Sequence, residues 1–125
     1  MNRSAAEYFV EGLVARGVHY ISALCGHGLN PLFFAARRAG IRIVDVRNEQ
    51  TAAYIADYHG RLTGTPGVCA SSSGVAVANA LTGVMNAWVD HSPMVYISGT
   101  AASTTLGLGA FQDSPHVAMA QPVSK

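Results

Sequence analysis

Two patterns of hydrophobic and polar residues alternate along the chain. Apolar residues at helical spacing predict helices, and short apolar runs predict strands. After Ser4 the apolar residues recur at helical spacing, and Ser4 and Glu7 have the spacing of a capping box. Short apolar runs rich in β-branched or aromatic residues, bounded by glycine or proline, predict strands. The predicted elements, in chain order, are helix 4–17, strand 18–24, helix 31–40, strand 41–46, helix 48–63, strand 68–71, helix 75–88 and strand 93–98.

Regular alternation of strands and helices indicates the α/β class. Right-handed crossovers between successive strands predict a parallel sheet with helices on both faces. Ligands of such sheets bind beyond the carboxyl ends of the strands. The candidate site is therefore formed by the loops 25–30, 47–50, 71–75 and 99–113, within a single domain that spans 1–125.

Composition adds an expectation about interfaces. Of the 125 residues, 50% are hydrophobic and 12% are charged, about half of the ~25% that soluble domains carry. So little charge indicates a large buried interface. The formal net charge of +1 offers no basic surface for nucleic acid. Residues 62–89 carry no charge, but prolines, serines and glycines interrupt them, which favours a strand and a helix over a membrane span.

The cysteines and histidines form no recognised ligand pattern. Cys25 and Cys69 lie far apart, outside any C-x-x-C spacing, and the five histidines fall at no metal-ligand spacing. We therefore expect no metal site in this chain. The glycines at 26 and 28 do not extend to a dinucleotide fingerprint, and no phosphate loop is present. Reduced thiols and a first segment without the apolar core of a signal peptide favour the cytoplasm.

Glu49 is the acidic residue with the most informative position. It follows a predicted strand and lies in the first turn of a predicted helix. One interpretation is a carboxylate that compensates the helix dipole. The other is a carboxyl group directed into the crevice, where burial favours the neutral form that donates a proton. The residues alone leave both interpretations open.

A longer motif surrounds Glu49. Residues 47–52 read R-x-E-x-x-A, and residues 56–68 read A-x-x-x-G-R-x-x-G-x-x-G-V. Further matches follow in order at Ser73-Gly74, 79–83, Asn86-Ala87, Asp90, 92–94, Ser98-Gly99, 111–113 and 117–125. Over nearly its whole length the chain resembles the pyrimidine-binding domain of thiamine-diphosphate-dependent enzymes. It is most similar to the acetolactate synthase, oxalyl-CoA decarboxylase and benzaldehyde lyase branch.

The resemblance implies a role for each site residue. Glu49 takes the position of the family's glutamate, which shares a proton with the aminopyrimidine ring and so activates the cofactor for attack on a carbonyl. The implied catalytic residues are Glu49, Gln112 and His27. The implied cofactor-binding residues are Glu49, Gly26, Ser73, Gly74 and Asn79, and the implied substrate pocket is His27, Gly28, Phe111 and Gln112.

The resemblance also implies partners. The cofactors are thiamine diphosphate and Mg²⁺, with the metal ligands on a diphosphate-binding domain or subunit that this chain lacks. The chain ends before the family's last helix and strand, as either a split subunit or a fragment would. We expect a hetero- or homo-oligomer that acts on a small-molecule substrate, with no nucleic acid or membrane partner. One departure is Gly74-Val75-Ala76, where the family usually has G-P-G.

The preferred hypothesis is a carboligase, lyase or decarboxylase that acts on 2-oxo acids, acyloins or aldehydes and is competent only with a diphosphate-binding domain. The alternative is a non-catalytic structural or regulatory subunit of the same family, which the altered loop at Gly74 favours. A third possibility is a free-standing module that binds a small molecule.

Overall fold

A computed structural model describes residues 3–125. Its elements, in chain order, are α1 (Ala5–Ala15), β1 (Tyr20–Leu24), α2 (Asn30–Arg38), β2 (Arg42–Asp45), α3 (Glu49–Thr63), β3 (Gly67–Ser71), α4 (Val75–Val89), β4 (Met94–Ser98), α5 (His116–Ala120) and a 3₁₀ turn (Gln121–Val123). The four predicted helices and four predicted strands are confirmed. The sequence analysis did not predict α5, a five-residue helix without buried side chains.

The four strands form one parallel sheet in the order β2-β1-β3-β4. The chain runs from β1 to β2 on one side and then returns past β1 to β3 on the other. The connections therefore diverge between β1 and β3, and crevices of α/β sheets open at such a switch point, outside the carboxyl ends of the strands. The predicted α/β fold is confirmed, and the crevice lies between the loops that follow β1 and β3.

Helices cover both faces of the sheet. On one face α1 and α2 bury Val10, Leu13 and Phe33 against the sheet. On the other face α3 packs against β3 through alanines rather than large side chains. A Cβ on Gly67 of β3 would lie 2.0 Å from the Ala56 carbonyl oxygen of α3. Small residues thus let α3 approach the sheet closely, which positions its first residue at the crevice.

An ion-pair network, which we call the Asp57 clamp, joins α3 to α4. The Asp57 side chain is fully buried and accepts two hydrogen bonds of 3.0 Å from Arg61 and one of 2.7 Å from Asn86. Arg61 also pairs with Asp90, just beyond α4. Burial opposes ionisation of Asp57, but the bonds from Arg61 and Asn86 outweigh it and hold the pKa of Asp57 below its usual range. The clamp therefore fixes the relative position of the two helices.

The uncharged stretch 62–89 folds as the sequence analysis predicted. It contains the end of α3, the buried strand β3 and the helix α4. Within residues 3–125, no helix has the combination of length and apolar character that crossing a bilayer requires.

Candidate active site

Glu49 lies at the carboxyl edge of the sheet as the first residue of α3, directly after the loop that follows β2. The side-chain oxygen of Asn48 accepts a hydrogen bond of 2.7 Å from the Gln50 N–H and so caps the helix. Glu49 is half-buried. Its Oε2 accepts a hydrogen bond of 3.1 Å from the amide of Asn79 on α4. The contact between α3 and α4 therefore orients the carboxylate.

A tyrosine lies within electrostatic reach of that carboxylate. Tyr96 of β4 is 2.6 Å from the Ser71 hydroxyl at the end of β3. Burial raises the pKa of Tyr96, the Ser71 bond partly opposes it, and the charges of Cys69 and Glu49 add to it, so that the pKa lies at about 12. The phenol therefore stays neutral at neutral pH. The sequence analysis missed Tyr96 because one aromatic residue in a strand gives no functional signal.

Gln112 belongs to the same edge, although it follows β4 by fourteen residues in sequence. Its side-chain oxygen lies 3.4 Å from the hydroxyls of both Ser72 and Ser73. Its backbone is left-handed, with φ of +57°, which costs a residue with a side chain about 1–2 kcal/mol. The loop after β3 thus holds Gln112 in a conformation that it would seldom adopt alone.

The predicted substrate-facing residues come together around Ser72. The Ser72 hydroxyl donates to the His27 carbonyl at 3.1 Å. The rings of His27 and Phe111 meet edge to face with centroids 5.9 Å apart. A Cβ on Gly26 would lie 2.8 Å from Ser72, and one on Gly28 would lie 2.8 Å from the Thr100 backbone. Close approach at these glycines brings the loops after β1, β3 and β4 into one wall of the crevice.

Gly74 and Ser73 form the inner part of that wall. Ser73 is fully buried. Gly74 has φ of +67°, and a Cβ there would lie 2.6 Å from the Gln112 Cβ. The Gly74 N–H donates to Nε2 of His116 at 2.8 Å. The sequence analysis assigned no role to His116, since nothing in a sequence pairs two residues that lie 42 positions apart.

Replacing Gly74 by alanine is expected to destabilise the protein more than replacing Gly107. Both glycines have positive φ, but a Cβ on Gly107 meets nothing within 4 Å. Gly107→Ala therefore carries only the backbone cost of about 1–2 kcal/mol. Gly74→Ala adds overpacking against Gln112, about 1–3 kcal/mol more. Urea unfolding measures the free energy of unfolding of both variants. Equal losses of stability would show that Gln112 can move away from the added methyl group without cost.

The hydrogen-bonding groups at this edge are suited to bind the heterocyclic half of a nitrogen-containing cofactor. Glu49 and Asn79 supply a carboxylate and an amide, which bond to ring nitrogens and exocyclic amines. Among residues 3–125, no three His, Cys, Asp or Glu side chains cluster as ligands for a metal ion. The residues present therefore fit the heterocyclic end of a cofactor. They offer no metal-ligand cluster for its diphosphate.

Sequence comparison identifies the family to which this parallel α/β domain belongs. Residues 3–120 match the family described as thiamine pyrophosphate enzyme, N-terminal TPP binding domain. The match covers most of the chain, so the chain belongs to this family. The resemblance identified from the motif around Glu49 is confirmed.

The individual relatives are named as a lyase and a synthase. The chain is 39% identical over 123 residues to 2-hydroxyacyl-CoA lyase 2 of Danio rerio, covering 98% of this chain and 20% of that protein. It is 37% identical to the human 2-hydroxyacyl-CoA lyase 2, with 98% and 20% covered. It is also 37% identical to the acetolactate synthase large subunit of Buchnera aphidicola from Acyrthosiphon pisum, with 98% and 22% covered. The chain thus spans about a fifth of the length of these curated relatives.

Proposed function

We propose that this chain is the pyrimidine-holding part of a thiamine-diphosphate-dependent carboligase, lyase or decarboxylase. The substrate class is 2-oxo acids, acyloins or aldehydes, whose carbonyl carbon takes part in forming or breaking a carbon–carbon bond. One observation carries the proposal: the Glu49 carboxylate stands at the end of β2, oriented by Asn79, on the same sheet edge as Gln112.

Glu49 is the proposed proton-holding group. Among the described residues, Asn79 is the one side chain that bonds to its carboxylate, and it occupies Oε2. Oε1 therefore remains for a proton shared with a ring nitrogen of the cofactor. Thiamine diphosphate, when bound, supplies the carbon nucleophile and the electron sink for the reaction. Asn79 thus acts as a positioning residue, because it fixes the carboxyl group that contacts the ring.

Gln112, Phe111 and His27 form the proposed substrate side. The amide of Gln112 and the imidazole of His27 are suited to orient a carbonyl oxygen, since both offer N–H donors. The Phe111 ring packs edge to face on His27 and forms a wall at that end of the crevice. Gly26 and Gly74 support this arrangement because they let Ser72 and Gln112 approach closely. The Ser73 hydroxyl lies 3.4 Å from the side-chain oxygen of Gln112.

A second domain completes the proposed site. The diphosphate and Mg²⁺ require ligands, which we assign to a diphosphate-binding domain on the same or a partner chain that faces the carboxyl edge. Large apolar side chains are exposed along α3 and α4, among them Tyr58, Leu62, Met85 and Trp88. Exposed apolar surface of this extent is typical of protein interfaces, and it agrees with the low charge of the chain.

Calorimetric titration tests this function. Thiamine diphosphate with Mg²⁺ is titrated into the chain together with its diphosphate-binding domain, and the assembly is then assayed with a 2-oxo acid, an aldehyde and a 2-hydroxyacyl-CoA thioester. We expect saturable binding that chelation of Mg²⁺ abolishes, and turnover of at least one substrate class. A stable assembly that binds no cofactor would overturn the proposal in favour of a structural subunit.

A further inference from the structure

The first turn of α4 lacks the usual capping side chains. Its N-cap residue is Gly74, which has no side chain, and its third residue is Val77. In a capping box, a Glu or Gln at that third position accepts a hydrogen bond from the N-cap N–H. Here Nε2 of His116 accepts that bond at 2.8 Å. His116 thus supplies from a distant segment the acceptor that α4 itself lacks.

This bond defines the protonation state of the imidazole. The backbone N–H of Gly74 can only donate, so Nε2 of His116 must carry a lone pair and the ring is neutral, with its proton on Nδ1. A protonated ring has donors at both nitrogens and can no longer accept the bond. It would also place a positive charge at the start of a helix, where the dipole disfavours cations.

The same contact secures the segment that carries Gln112. Gln112 lies four residues before His116 and packs against the other side of the Gly74 backbone. Its side chain reaches Ser72 and Ser73, and its left-handed backbone requires support from its surroundings. The segment 112–116 is therefore attached to the loop 72–74 at both ends, and His116 provides one of the attachments.

Few other charges act on this imidazole. Helix α4 contains no titratable side chain. The groove of about 980 Å³ between α4, β4 and the C-terminal segment is lined by His116 together with His91, Tyr96 and Lys125. On the loop side, the Asp113 carboxylate accepts the Gly107 N–H at 2.6 Å. Lys125 therefore brings a positive charge to this groove, and Asp113 brings a negative charge to the adjoining loop.

We propose that His116 is a positioning residue for the active site, whose neutral imidazole fixes the Gly74 amide and through it the conformation of Gln112. A protonated imidazole cannot accept this bond, so protonation of His116 would release both. This inference rests on the function proposed above, because Gln112 is assigned there to the substrate side.

Three variants of the protein, in complex with its diphosphate-binding domain, test the inference. His116→Gln keeps a side-chain acceptor but cannot take up a proton, and His116→Ala removes the acceptor. His19→Gln is the control, because His19 is exposed just before β1, at the opposite end of the sheet. The first measurement is hydrogen exchange of the peptide 72–77. At pH about 8 we expect faster exchange in His116→Ala alone. Acidification is expected to speed exchange in wild type and His19→Gln but not in His116→Gln, after correction for the intrinsic rate.

The second measurement is the pH profile of turnover. At pH about 8, His116→Ala is expected to lose about tenfold in kcat/KM, the factor that corresponds to one hydrogen bond. His116→Gln is expected to restore most of that loss and to flatten the acid limb that wild type and His19→Gln retain. Equal exchange in His116→Ala and wild type would overturn the positioning role. A different outcome is faster exchange in His116→Ala than in wild type, together with a wild-type complex that binds no cofactor. That outcome would overturn the proposed function but would leave the role of the Gly74 contact standing.

Discussion

Glu49→Gln is expected to lower turnover of carbonyl substrates by about 10²–10⁴-fold, the contribution usual for a positioned acid–base group. Glutamine has the same shape and keeps an oxygen that can accept the Asn79 hydrogen bond. It has no carboxyl proton to share with a ring nitrogen. The side chain at position 49 should therefore keep its orientation but lose the ability to activate the cofactor. Cofactor affinity should change much less than kcat, because the proposed site assigns the diphosphate contacts to another domain.

Steady-state kinetics and calorimetry on the assembled protein measure this effect. Glu11→Gln is the matched control, because Glu11 is exposed on α1, where it pairs with Arg3. That variant should keep wild-type kinetics. Wild-type turnover in Glu49→Gln would contradict the proposed role of the carboxyl group, and the dipole-compensating interpretation of Glu49 would then account for its position.

Arg61→Met is expected to be the most destabilising substitution in the Asp57 clamp. Removing one partner of a buried ion pair costs about 3–5 kcal/mol when the charge left behind stays buried. Asp57 is fully buried, so loss of Arg61 leaves a carboxylate without its cation. Asp57→Asn is expected to cost less, about 1–3 kcal/mol, because the remaining Arg61 side chain is 30% exposed and also pairs with Asp90.

The sign of the pH dependence separates this explanation from simple loss of packing. In wild type the lowered pKa of Asp57 contributes stability above the ordinary aspartate value of about 3.9, and that contribution is lost as pH falls through the lowered value. In Arg61→Met the buried charge is unfavourable, and protonation relieves it. The difference in unfolding free energy between wild type and variant should therefore shrink between pH about 7 and 4.

Urea unfolding at the two pH values measures that difference. Arg3→Met is the matched control, since Arg3 and Glu11 form an exposed ion pair, and exposed pairs contribute little to stability. A penalty for Arg61→Met that stays constant with pH would refute the buried-charge explanation. The clamp joins α3 to α4, so a destabilised Arg61→Met protein should also lose affinity for thiamine diphosphate, for which Glu49 is the proposed contact.

Elements with strong local signals were predictable. Asn48 caps α3 at the residue where the predicted helix 48–63 begins, and α3 ends at Thr63, before Gly64 with φ of +70°. Helix boundaries of this kind depend on a few neighbouring residues. Strand boundaries depend on the partner strand: β1 was predicted from residue 18, but it begins at Tyr20, where the pairing with Arg42 of β2 starts.

The role of individual motif residues was less predictable. Asp57 and Arg61 lie within the motif that identified the family, yet their contacts hold α3 to α4 at a distance from the crevice. Asn79 was assigned to the cofactor, and the structure shows that it bonds to Glu49. A family motif contains residues that stabilise the fold as well as residues that act in the site. Only the contacts in the structure show which of the two roles a given residue has.

By itself, the sequence determined the order of the helices and strands, the parallel α/β class, the family and the candidate carboxylate Glu49. These properties follow from hydrophobic periodicity, capping residues and an ordered motif, which are all local along the chain. Only the tertiary structure decided that His116 binds the Gly74 amide, that Gln112 rests on Ser72 and Ser73, and that Tyr96 meets the Ser71 hydroxyl. Those contacts join residues 25 to 42 positions apart, and their geometry exists only once the sheet brings its carboxyl ends together.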